Sequence, residues 1–241
     1  MQLTGQAVVA GLDPFTQEST PSQQLGASGF DSIGRKYKYS KIGAANIAAG
    51  HLLQTSARDT NFTDLVVYSA SAIGAFTVTA TLGGTAVTAD MFKDGILAVT
   101  AGTGLGYTLA IKSHTVQAGT TGNVTFTLYE PLKIAIDTTT RVTPMKNPYD
   151  GVVDSPTTAT GITMGVGMFV ATAKYYTWIG VQGYFAVLAS TTVQAIGGGV
   201  QAKNSSTAGA ANILAAAGYQ IGGAPILGVD TEYQIVFLNC G

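Results

Sequence analysis

Phe76-Thr77-Val78-Thr79-Ala80-Thr81-Leu82-Gly83-Gly84 is the stretch on which the fold class turns. Threonine alternates with apolar residues until two glycines stop the run. Side chains in a strand point alternately to opposite faces, so this is a β period rather than a helical one. The Gly-Gly pair then supplies the backbone freedom of a hairpin turn. Working outward, the same grammar repeats. Leu65-Val66-Val67-Tyr68 is a short buried-strand run. Ile96 to Thr100 follows Asp94-Gly95, a second hairpin-type turn, and Tyr107 to Lys112 follows a glycine cluster. Val124 to Tyr129 and Leu132 to Ile136 read as further strands. Turn signals spaced by about ten residues are those of a sandwich or barrel.

The flanks extend the pattern. Residues 143–161 carry Pro144, Pro148 and Pro156 with Asn147, Asp150 and Gly151. Proline cannot donate to a strand ladder, so a loop or linker is expected. Strand-like runs follow at Gly165–Thr172, Tyr175–Val181, Tyr184–Ala189, Val193–Ile196 and Glu232–Leu238. Only Ala208–Ala217 has helical composition, and glycines bracket it, so a short helix and a loop both remain open. Residues 1–34 have no sustained period and read as an extended arm, either a free tail or a segment that orders against a partner. The expected architecture is all-β: an antiparallel β-sandwich or small β-barrel with a second β-rich lobe and an extended N-terminal arm. The expected division is 1–34 arm, 35–146 β-rich lobe and 147–241 barrel or sandwich lobe. In a variant of this division, 35–54 pairs with the C-terminal lobe and about 60–150 is an inserted lobe.

Charged residues make up 10% of the chain and hydrophobic residues 46%. An average domain is about a quarter charged, so Thr, Ser, Gln, Asn and Gly must build much of this surface. Such a surface suits a protein covered by neighbours. The net charge of −1 gives no basic field, so nucleic acid is not an expected partner. The longest apolar-looking stretch, Gly161 to Ser190, is interrupted by Lys174 and polar residues. It falls short of the roughly 18 apolar residues of a helical span, so no membrane partner is expected. The N-terminus lacks the basic and apolar regions of a signal peptide, which makes the sequons at Asn61, Asn123 and Asn204 incidental. Cys240 is the one cysteine and excludes an internal disulfide.

Few residues carry chemistry. Gly102-Thr103-Gly104-Leu105-Gly106 resembles a phosphate-cradling loop, but a strand follows it where a helix N-terminus would be needed. Asp90/Asp94 and Asp150/Asp154 are paired acids, and a glycosidase needs two acids converging on a cleft. Asp94 and Asp150 each precede glycine, where turn geometry alone favours aspartate. Calcium between loops would use the same acids, without EF-hand spacing. His51 and His114 read as ordinary polar positions. No nucleophile elbow or metal-ligand spacing is present. No catalytic, cofactor or metal residue is assigned, and the chain is expected not to be an enzyme.

Two clusters remain as candidate contact surfaces. Arg35, Lys36, Tyr37, Lys38, Tyr39 and Lys41 form the one dense basic patch, interleaved with aromatics. This fits a solvated edge strand whose lysines block unwanted pairing, or a docking site on an acidic shell or neighbouring subunit. Tyr175, Tyr176 and Trp178 form an aromatic group that fits either core packing or an exposed sugar platform.

The order of these pieces carries a resemblance. Arg35-Lys36-Tyr37-Lys38-Tyr39-Ser40-Lys41 leads to Ala49-Gly50-His51-Leu52-Leu53-Gln54. Asp94-Gly95-Ile96-Leu97-Ala98-Val99 and Gly102 to Tyr107 follow, then Glu130-Pro131-Leu132, Asn147 to Val153, Gly165-Val166-Gly167 and Tyr176 to Gly183. The ordered set, over roughly residues 35–190, resembles virion proteins encoded among the head genes of tailed bacteriophages. Trp178 to Gly183, with Gly197 to Val200 and Ile221-Gly222, also looks like small-barrel decoration proteins of phage heads. The resemblance implies a β-rich capsid decoration or cement protein without an active site. It implies a protein on the outer capsid surface, partnered by the major capsid protein and by itself as a homotrimer. A head or tail fibre module that binds host glycans is the alternative, and it would use Tyr175, Tyr176 and Trp178 exposed.

Overall fold

The computed structural model describes residues 8–10, 12–190, 196–202, 207–214, 220–226 and 228–240. Strands before position 59 are β1 (Val8–Ala10), β2 (Gln17–Glu18), β3 (Ser28–Phe30), β4 (Lys36–Ile42) and β5 (Leu52–Gln54). From there to 147 come β6 (Leu65–Val66), β7 (Thr77–Thr81), β8 (Ile96–Ala101), β9 (Thr108–His114), β10 (Asn123–Leu128) and β11 (Arg141–Met145). The rest are β12 (Asp150–Asp154), β13 (Thr163–Gly167), β14 (Tyr176–Leu188), β15 (Gly199–Gln201), β16 (Asn212–Ile213), β17 (Gly222–Gly223) and β18 (Tyr233–Asn239). The one helical element among the described residues is a single 3-10 turn at Thr60–Phe62. The protein is all-β, and its sheets are closed or nearly closed into barrels.

Two compact units form. One is Asp59–Asn147, and the other joins the described parts of 6–58 and 148–241. In the first, the strand order is β6-β11-β8-β9-β10-β7. Val67 bridges Ala80, and the Tyr68 amide donates to Thr79 O at 2.8 Å, which closes the sheet on itself. The alternation of β7 works as its sequence reads. Val78 and Ala80 are buried, while Thr77, Thr79 and Thr81 face outward. Thr79 and Thr125 share a hydroxyl–hydroxyl hydrogen bond of 2.9 Å across the β7–β10 pair, a cross-strand contact typical of a wet sheet face. Inside, Phe92 meets Phe62 and Phe126 edge-on, with ring centroids 5.0 and 5.9 Å apart.

In the second unit, β4, β12, β5, β13 and β14 pair in turn, and β14 pairs back to β4, so five strands form a ring. Ile42, Leu53, Val152, Ile179 and Val181 fill it. β14 continues past this ring. Its second half pairs residue by residue with β18, from Gln182↔Asn239 to Leu188↔Tyr233. β17, β15 and β16 follow, and a parallel bridge between Ala189 and Ala211 nearly closes a second ring. The core there includes Trp178, Phe185, Val187, Val200, Val236 and Leu238.

One glycine lets β14 serve both rings. Gly183 has φ +119°, a backbone region that side chains disfavour, and the β4 register slips between Gly180 and Gln182. Before this bulge the even-numbered Trp178 faces the second core. After it the odd-numbered Phe185 and Val187 do. A bulge inserts one residue and so exchanges the two faces of a strand. Without it, Phe185 and Val187 would point out of the core they fill.

The structure corrects several expectations. The described part of the arm is held in the sheet: β3 pairs with β4, β2 with β14 and β1 with β3. Ala27 is buried in the core. Strand β4 is not an edge. β3 and β12 lie along one side and β14 along the other. Residues 35–58 pack with the C-terminal strands rather than with 59–147, against the division at 35–146 and in line with its variant in which 35–54 pairs with the C-terminal lobe. The Pro-rich segment holds two strands. Pro144 is tolerated within β11 because β6 covers only Arg141 and Val142, leaving the far side open at Pro144. Leu132–Ile136 is irregular, with Ile136 bridging Ser71, yet Leu132 and Ile136 are buried. Tyr175–Val181 and Tyr184–Ala189 fuse into the single β14. Residues 208–214 are not helical, and 215–217 and 193–195 lie outside the described residues.

Candidate functional site

The basic cluster is spent on the protein's own contacts. Tyr37 and Tyr39, expected as interface anchors, are buried in the core because β4 is flanked on both sides. Their hydroxyls reach back to the N-terminal segment. The Tyr37 hydroxyl donates to Asp31 Oδ2 at 3.0 Å, and that oxygen also accepts from Arg35 Nε at 2.7 Å. The Tyr39 hydroxyl donates to Glu18 Oε1, which also accepts from the Ser22 hydroxyl at 2.6 Å. Burial pushes the Tyr39 phenol up to about 12, with the Glu18 contact acting the same way. Tyr37 is raised too, first by burial and then by its hydrogen bond to Asp31. Burial alone would raise both carboxylates. For Asp31 the hydrogen bonds from Arg35 and Tyr37 outweigh it, and for Glu18 those from Ser22 and Tyr39 do, so both lie below their ordinary range.

The lysines follow the same rule. Lys38 Nζ donates to Gly26 O at 3.0 Å and to Ser28 Oγ at 2.8 Å, and burial lowers its pKa. Lys41 sits 3.8 Å from Asp150 and over the Tyr176 ring. Lys36 is half-buried. The Arg35 guanidinium lies over the Tyr37 and Phe185 rings, at 5.7 and 5.3 Å.

The aromatic cluster does not form an exposed platform. Trp178 is 7% exposed and packs edge-on against Tyr39, ring centroids 5.3 Å apart. Tyr176 stacks on the Tyr39 ring, with centroids 6.0 Å and planes only 10° apart. Tyr175 is half-buried.

The acids are likewise engaged. Asp90 and Asp94 both have positive φ, as expected of turn residues, and Asp94 accepts from the Tyr129 hydroxyl. Asp150 pairs with Lys41, whereas Asp154 accepts from His51 Nδ1 at 2.8 Å. His114 Nε2 accepts from the Phe92 amide at 3.1 Å. Among the described residues, no group of three or more His, Cys, Asp or Glu is placed to hold a metal ion. The 102–106 glycine loop is a turn into β9, with the Gly106 amide donating to Val99 O at 3.0 Å.

A surface that the sequence reading passed over stands out instead. On the outer face of the β14–β18 pair, the rungs are Gln182/Asn239, Tyr184/Phe237, Ala186/Ile235 and Leu188/Tyr233, of which only Leu188 is buried. None of the eight is charged. Tyr184 is 57% exposed, Tyr233 55%, Ile235 46% and Phe237 41%. The Tyr184 and Phe237 rings meet edge-on at 5.1 Å. The inner residues of the same strand, Val236 and Leu238, are core. A strand apolar on both faces normally has both faces covered, and among the described residues only one is. The signal was in Tyr233-Gln234-Ile235-Val236-Phe237-Leu238, where the outer Tyr233, Ile235 and Phe237 are as apolar as the inner Val236 and Leu238. Comparisons with protein-family models, with curated proteins and with solved structures found no match for this chain.

Proposed function

We propose that this chain is a non-enzymatic structural protein of a tailed-bacteriophage particle, binding the outer surface of the capsid between capsomers and stabilising the shell. The observation that carries the reading of the chain as an assembly subunit is the β14–β18 face, uncovered among the described residues. Contiguous apolar surface of this kind marks an interaction site on a soluble domain, and a subunit enclosed by neighbours gains by covering it. The low charge of the whole chain supports the same conclusion. So does the engagement of Glu18, Asp31, Asp94, Asp150, Asp154, His51 and His114 in structural hydrogen bonds and ion pairs, which leaves them to hold the fold. The choice of a phage head among possible assemblies rests on the ordered motifs from Arg35 to Gly183, which resemble decoration proteins. Its partners in this reading are the major capsid protein and further copies of itself. Neither nucleic acid nor membrane enters it. A shell under internal pressure is strengthened by clips that bridge capsomers, and many copies of a modest contact suffice through avidity.

The test is a cryo-electron microscopy map of the source particle. Density for both units on the outer shell, between capsomers and in many copies, is the expected result. Density confined to a vertex or the tail would move the chain to the fibre class, and none at all would overturn the reading.

A further inference from the structure

We infer that the outer β14–β18 ladder is the surface through which copies of this chain bind one another, and that it is not the surface that meets the shell. The inference rests on the reading of the chain as an assembly subunit, but not on the identity of the assembly.

The chemistry of the face selects the partner. Its four rungs carry no charge, so nothing on it steers or orients a charged partner, and any charge brought against it would be buried unpaired. A second copy meets that condition automatically, because it brings the same uncharged ladder. Interfaces between copies of one chain are more apolar than ordinary protein surface, whereas docking contacts between independently folded proteins are about as polar as that surface. A patch of Tyr184, Phe237, Ile235 and Tyr233 without one lysine or carboxylate belongs to the first kind.

The size agrees. With roughly 200 Å² per aromatic residue, the open fractions of Tyr184, Tyr233 and Phe237 leave about 300 Å² exposed, and Ile235 and Ala186 bring the ladder to about 400 Å². That is about half of the ~800 Å² per partner that a standard interface buries. It is the right share for the dry centre of an interface whose rim is polar. Rim residues are in place: Gln182 and Asn239 at one end, Thr231 and Glu232 at the other. The profile along the ladder also suits sheet-on-sheet packing. Large rings stand at both ends and small Ala186 lies between them, leaving room for a facing side chain to interdigitate.

The experiment compares full-length wild type with Ile235→Lys/Phe237→Lys by native mass spectrometry and light scattering across a dilution series. Trp178 fluorescence and circular dichroism verify the fold. Both substituted side chains point outward, so the fold is expected to survive. If the double variant nevertheless unfolds, Phe237→Ala is read by its concentration dependence, and an oligomer that dissociates at least tenfold more readily is the supporting result. The expected outcome is an oligomeric wild type and a folded, monomeric double variant, with Lys36→Glu still oligomeric. A wild type that stays monomeric at every concentration, or a charged variant that keeps the wild-type mass, would overturn the inference. Sedimentation with stripped shells of the source phage separates the two proposals. A monomer that binds shells leaves the capsid reading standing without this one. An oligomer that ignores them leaves this one standing without the capsid reading.

Discussion

Substituting Gly180 by alanine tests how the second unit is held together. A methyl group at Gly180 would stand 2.5 Å from Phe185 Cε1 and 2.6 Å from Cζ. The Phe185 ring cannot simply retreat. Tyr37 meets it edge-on at 5.8 Å and the Arg35 guanidinium covers it at 5.3 Å. Overpacking of this kind costs about 2 kcal/mol, which for a unit of this size lowers Tm by about 4–8 °C. Phe185→Leu alone removes packing and should cost about 1–2 kcal/mol. In the double variant the alanine methyl occupies part of the space the ring has left. The two losses should then fall short of additivity by about 1 kcal/mol. The assay is chemical unfolding followed by Trp178 fluorescence. Trp178 is the single tryptophan of the chain and lies in the same core cluster as Phe185, so the signal reports this unit alone. A neutral Gly180→Ala, or two strictly additive losses, would refute the argument that Gly180 exists to admit the Phe185 ring.

Three further outcomes are expected. Asp31 and Glu18 titrate below their ordinary values of 3.8 and 4.5, so the stability they contribute is complete above those values and is lost as pH falls through the folded values. The Tm of wild type should therefore decline below about 4.5 more steeply than that of Asp31→Asn, and parallel declines would sink the assignment. Burial pushes the Cys240 thiol up to about 12, so a thiol reagent at neutral pH should modify it only after denaturation, and rapid labelling of the native protein would contradict that. Finally, Gln234 is buried and neither of its amide atoms has a hydrogen-bond partner among the described residues. Gln234→Leu should stabilise by about 1 kcal/mol, because it removes an unmet polar group, and an unchanged or lower Tm would show that the amide is satisfied.

What could be read in the sequence was local. The 59–147 barrel is built of antiparallel neighbours, and the alternation in 76–82, 96–100, 107–112 and 124–129 located β7 to β10 within a residue or two. Strand β4 was legible as a strand but not as a central one. Its neighbours β14 and β12 lie more than a hundred residues away, and no local pattern encodes that pairing. The interleaved lysines suggested exposure. Lysine can instead keep its stem against the sheet while its ammonium reaches a carbonyl, as Lys38 does at Gly26. The aromatic cluster at 175–178 was equally ambiguous, since a rigid ring suits a core and a platform alike, and only the burial of Trp178 decides. The β14–β18 face was missed for a different reason. Its alternation is hidden, because Ile235, Val236, Phe237 and Leu238 are apolar on both faces of β18 and show no period of two.

That concealment bears on how the chain divides its work. Five members of the basic run meet other parts of the protein: Arg35 and Tyr37 hold Asp31, Lys38 holds Gly26 and Ser28, Tyr39 holds Glu18, and Lys41 faces Asp150. Charge in this chain is scarce, and this part of it is used to fasten the N-terminal segment and β12 onto β4. Association through the β14–β18 ladder draws on uncharged surface, which discriminates poorly among partners unless shape does the selecting. A ladder with rings at both ends and alanine between them gives that shape. The four rungs repeat identically in every copy, so one face supplies both halves of the fit. On this argument Ala186→Phe, which fills the central gap without adding charge, should weaken self-association as Phe237→Lys does while leaving the Trp178 signal of the folded unit unchanged. An oligomer indifferent to it would mean that the ladder associates through area alone.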